Sequence, residues 1–121
     1  MLENREQKAR KLLSTLYSLV TKMDLLELTS RMNAFVSSKG WYNPGSKRPQ
    51  TPRNLAISLN LEAAEILEHF QWSETAQDKD ELASELADVA LYLLQLASVS
   101  EIDLEQAILK KLEVNAGREW K

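Results

Sequence analysis

Glu62 and Glu65 stand three residues apart in "LEAAEILEHFQW", and Glu85 and Asp88 repeat that spacing in "ELASELADVALYLLQL". A helix advances about 100° per residue, so i and i+3 share one face. With Glu62 at zero, Glu65 falls near about −60°, while Leu59, Ile66 and Phe70 fall between about +40° and +80°. The acids therefore edge an apolar stripe. Glu85 and Asp88 edge another, formed by Leu82, Leu86, Val89 and Leu93, with Tyr92 on the acid side. One such pair on a helix is ordinarily solvated. Two pairs beside apolar stripes can be packed so that four carboxylates converge. Converged in a low-dielectric site they would repel, and some would protonate unless a divalent cation joined them. An oxygen-only donor set suits a hard ion, Mg²⁺ first and Mn²⁺ second. A di-iron bundle would need Glu-x-x-His on two helices. The chain has one histidine, His69, and no such motif. His69 projects on the Glu62/Glu65 side, where a lone histidine is more often a packing or surface residue.

Composition narrows the chemistry. The chain has 121 residues, 44% hydrophobic and 27% charged, enough for one soluble domain. A net charge of −3 and scattered Lys and Arg argue against nucleic-acid binding. There is no cysteine, so disulfides and thiolate chemistry are excluded. No apolar run is expected to reach the ~18–20 residues of a membrane span, and "MLENREQKARK" is not a signal peptide. A cytoplasmic location is the expectation.

Few glycines and prolines and no β-branched runs favour an all-α fold. Leu12, Leu13, Leu16, Leu19 and Val20 predict a terminal helix over about residues 3–20, packed along one side. Asp24 with Glu27 reads as a capping box opening a second helix, and Gly40 suits its stop. The loop "GWYNPGSKRPQTP" is irregular and locally basic. Thr51-Pro52 then starts a helix expected to reach about Trp72. A fourth helix covers about 79–99, and Asp103 with Gln106 opens a fifth that Gly117 can end. Residues 1–22 are an N-terminal helical extension, and 23–121 form a four-helix bundle. The run "LADVALYLLQL" is apolar nearly all round, which predicts burial against a second chain.

"EAAE" at 62–65 followed by "ELAD" at 85–88 resembles the ExxE…ExxD signature of MazG-like nucleoside triphosphate pyrophosphohydrolases, all-α enzymes related to the dimeric dUTPases. "TPRNLA", "FQW", Tyr92 and "KLEVN" agree with it, and the resemblance spans about residues 24–118. It implies Mg²⁺-dependent cleavage of nucleoside triphosphates between the α- and β-phosphates, giving a monophosphate and pyrophosphate. Glu62, Glu65, Glu85 and Asp88 would be the catalytic metal ligands. It also implies a homodimer or a dimer of dimers with a pocket shared between chains. "KLEVNAGR" matches the family's C-terminal pattern, which makes Lys111, Asn115 and Arg118 phosphate ligands; the plain alternative for Lys111 is a solvated lysine favourable to the helix dipole. Lys47, Arg48 and Arg53 are further phosphate candidates. Trp41, Trp72 and Tyr92 match aromatics around the base, with ordinary packing as the alternative, and Asn33 and Asn54 could bind base or sugar. The rival readings are a phosphohydrolase releasing another product, and a catalytically silent helical dimer that binds nucleotides or a protein partner.

Overall fold

The computed structural model describes residues 4–21 and 23–120. Their secondary structure is five helices: α1 (Arg5–Thr21), α2 (Leu25–Ser38), α3 (Pro52–Glu68), α4 (Lys79–Val99) and α5 (Leu104–Ala116). No strand occurs among the described residues.

Side chains set the helix starts. Asp24, Thr51, Asp78 and Asp103 each accept the backbone N–H three residues on, at 2.9, 3.2, 3.0 and 3.1 Å. Each satisfies one of the donors a helix start leaves unpaired. Pro52 occupies the first turn of α3, where its missing N–H costs nothing. Gly40, at φ +71°, ends α2. The bonds Trp41 N–H to Val36 O and Gly40 N–H to Ser37 O close a Schellman turn there. α3 stops at Glu68, four residues short of the expected Trp72. His69 and Phe70 donate to the carbonyls three residues back, which tightens the last turn and bends the chain toward α4.

Packing runs in series: α3 lies on α4, α4 on α2, and α2 on α5. α3 and α5 do not form a packed interface, so one chain is an open layer rather than the closed four-helix bundle expected. Met32, Val36 and Leu94 form the core, flanked by Leu25, Trp41, Tyr42 and Leu104. α1 takes no part in the main packing, and Leu12, Leu13 and Leu16 are exposed. Among the described side chains of that helix the expected one-sided packing is not made within one chain; the Leu19 and Val20 side chains lie outside them.

α4 carries Leu86, Leu91 and Leu93 into solvent, although its Leu94, Gln95 and Ala97 are buried. An 18-residue window of this 21-residue helix has a mean hydropathy of 1.4, by length and composition apolar enough to cross a membrane. The expectation that no run approaches a membrane span is corrected in that respect. Glu85 and Asp88 interrupt the run, but the average across it tolerates them.

Candidate active site

The seam between α2, α3 and α4 opens into a cavity of about 820 Å³, capped by the loop after α2. Helical periodicity chooses the lining. Asn54, Ser58 and Glu62 follow one another at four-residue steps on α3. Asp88, Tyr92 and Gln95 follow at steps of four and three on α4, and Leu28, Arg31 and Phe35 at steps of three and four on α2. The loop adds Trp41, Lys47, Arg48 and Gln50. An aromatic and aliphatic wall thus faces two carboxylates across a space with three cationic side chains.

Glu62 is the electrostatic focus. Burial pushes its carboxyl above the usual range, and the nearby carboxylates of Glu65, Asp88 and, more weakly, Glu85 push the same way. Its Oε2 is buried without a partner. The other three acids of the two motifs therefore all act on Glu62. They are not drawn into a tight cluster: among the described residues, no three His, Asp or Glu side chains stand close enough to hold an ion. Glu85 does not line this cavity; it accepts a hydrogen bond from His69 Nε2. These two line a second, smaller cavity of about 350 Å³ with Glu68, Trp72 and Glu81.

Trp41 stands edge-on to Phe35, with ring centroids 5.8 Å apart and planes at 88°. The Arg48 guanidinium lies 5.2 Å from the Trp41 ring centre. A network ties the loop to the helices. Tyr42 donates to Asn33 Oδ1 at 2.6 Å, Asn33 to Ser98 Oγ at 2.9 Å, and Gln95 Nε2 to Gln50 Oε1 at 2.6 Å. Burial pushes the Tyr42 phenol up, against an opposing pull from the Gln95 amide. Asn33 is thereby committed to the scaffold. Asn54 faces the cavity while donating to Pro49 O at 2.9 Å.

Residues 57–120 match the model of the MazG-like family. A pyrophosphatase from Archaeoglobus fulgidus superposes with a TM-score of 0.66 at 36% identity, over 78% of this chain and 90% of that one. The chain belongs to the MazG-like family. It is also 32% identical over 103 residues to dCTP pyrophosphatase 1 of Rattus norvegicus and of Homo sapiens. That match covers 77% of this chain and 58% of those proteins, so the chain spans well under two thirds of their length.

Placement of the expected site residues in this MazG-like chain is uneven. Glu62, Asp88, Trp41 and Tyr92 meet at one cavity. Lys47 and Arg48 line it, and Arg53 does not. Trp72 is 92% exposed and stands beside the smaller cavity, not with Trp41. Lys111, Asn115 and Arg118 line neither cavity, because α5 packs on α2 and not on α3. Arg118 lies over Trp120, 4.7 Å from the ring centre, and Asn115 Oδ1 is buried without a partner.

Sequence reasoning missed Arg31, Gln50 and Gln95. A lone amide within "LYLLQLA" was the available signal for Gln95, which is only 4% exposed. It also missed the partner of His69, which lies 16 residues away on the next helix.

The oxygen-only donor set and the orphaned Glu62 Oε2 fit a hard divalent cation. Glu62, Glu65, Glu85 and Asp88 are the residues that would hold it.

Proposed function

We propose that this chain hydrolyses nucleoside or deoxynucleoside triphosphates to the monophosphate and pyrophosphate, with Mg²⁺ held by Glu62, Glu65, Glu85 and Asp88 and Mn²⁺ as a substitute. The observation that carries the reading is the shared cavity of Glu62 and Asp88 with Trp41, Tyr92 and cationic Arg31, Lys47 and Arg48. The names of the relatives, pyrophosphatase and dCTP pyrophosphatase, support it.

Bound Mg²⁺ would neutralise phosphate charge and lower the pKa of a water nucleophile. The chain's own residues supply the rest. Trp41 and Tyr92 offer flat apolar surface to the base, where stacking contributes about 1–3 kcal/mol. Lys47 and Arg48 reach the phosphates from the loop. One carboxylate of the set accepts the proton of the attacking water, and the pyrophosphate leaves against cations.

The chain works as a homodimer or a dimer of dimers in this reading. It exposes 10476 Å², against roughly 6,600 Å² for a compact monomer of its mass. The uncovered leucines of α1, α3, α4 and α5 are part of that excess. A second chain covers them and brings Lys111, Asn115 and Arg118 to the phosphates and Trp72 to the base. Residues 1–22 act as a helical extension of the 23–121 domain. The enzyme works in the cytoplasm on free nucleotides.

Incubation with a panel of dNTPs and NTPs plus Mg²⁺, with NMP, NDP, phosphate and pyrophosphate resolved, tests the proposal. Monophosphate and pyrophosphate in equal amounts are expected. A diphosphate with phosphate, or no turnover of any nucleotide, overturns it.

A further inference from the structure

We infer that His69 is a positioning residue for the metal site: its Nε2–H holds one oxygen of Glu85 so that the other is left for the cation. This rests on the metal-site reading above.

His69 caps the C-terminus of α3, and Glu85 lies in the second turn of α4. Their hydrogen bond therefore bridges the two helices that carry the acid motifs. Both side chains are largely sheltered, at 11% and 18% exposed. The His69 backbone is itself pinned, because its N–H donates to Ile66 O at 3.1 Å in the tightened last turn. An imidazole on a fixed backbone gives a donor of defined position. Glu85 would otherwise choose among several rotamers, and repulsion within the seam would favour those pointing away from the other acids.

The contact occupies Oε2 of Glu85. A carboxylate has two oxygens and about four lone-pair sites, so accepting from His69 leaves Oε1 able to ligate. Hydrogen bonds to ligating carboxylates fix their direction, and removing such a partner commonly costs about 10–100-fold in metal affinity or activity. A purely structural bridge between α3 and α4 would instead lower stability and leave metal affinity unchanged.

The two roles separate in His69→Ala and His69→Gln. The glutamine amide nitrogen approximates the reach of Nε2 and retains a donor. Mn²⁺ and Mg²⁺ binding to the metal-dependent protein without nucleotide is measured by calorimetry, and the Mg²⁺ dependence of turnover is measured at saturating substrate. Circular dichroism confirms that both variants are helical. His69→Ala is expected to weaken Mn²⁺ binding and raise the half-activating Mg²⁺ by about tenfold. KM for the nucleotide at saturating Mg²⁺ should stay within about twofold, and His69→Gln should recover most of the metal affinity. Wild-type or tighter metal binding in folded His69→Ala overturns the assignment of His69 alone, as does a glutamine variant as impaired as the alanine one. A wild-type protein that binds neither ion overturns the metal-site reading and this assignment together.

Discussion

The Gln95 amide donates to Gln50 across 2.6 Å, joining a buried position of α4 to the loop that caps the cavity. Gln50 in turn donates to Arg48 O at 2.6 Å, so the segment bearing Lys47 and Arg48 is held from inside the fold. A binding loop is tied here to the same helix face that carries Asp88 and Tyr92.

Replacing Gln95 by leucine leaves the Gln50 carbonyl without its donor. A loss of about 1–3 kcal/mol is expected in urea unfolding. KM for the nucleotide should rise several-fold, with a smaller change in kcat, because the loop rather than the carboxylates is disturbed. An unchanged KM would detach the loop from substrate binding.

Glu62→Gln and Asp88→Asn should reduce turnover to background while leaving the helical circular dichroism intact. Saturating Mg²⁺ should stabilise the wild type by about 2.7 kcal/mol at 100 times its Kd. That gain should vanish in Glu62→Gln. Undiminished turnover in either variant would remove that residue from the site.

The raised pKa of Glu62 predicts a pH dependence for the metal-free protein. The native state binds this proton more tightly than the unfolded chain does, so the stabilisation is fully present below the ordinary carboxyl pKa. It is lost as pH rises through the higher native value. In EDTA, the Tm of the wild type relative to Glu62→Gln should therefore fall as pH rises from about 4.5. A constant difference across that range would contradict the burial and repulsion assigned to Glu62.

Leu61 and Leu91 are exposed on α3 and α4 of the isolated chain. Leu61→Glu and Leu91→Glu should shift the assembly toward single chains in light scattering. Turnover should fall with it, since Lys111 and Arg118, the proposed phosphate ligands, line neither cavity of the single chain. A wild type already of single-chain mass would refute the shared pocket.

Residue order alone was sufficient for the helix starts. Capping Asp24, Thr51, Asp78 and Asp103 act within four residues of themselves, so the helix starts were legible. Asp78 is the exception: the fourth helix is placed at about 79–99 without its cap being named. Periodicity likewise placed Glu62 with Glu65 and Glu85 with Asp88 on single faces. Tertiary structure decided what those faces meet. The cavity that Glu85 lines, the capture of its Oε2 by His69, and the Gln95–Gln50 tie depend on how α3, α4 and the loop pack. Exposure of Trp72 and the distance of α5 from the cavity have the same origin. Helical spacing fixes angles about one axis; the distance between two axes comes only from the side chains that fill the space between them.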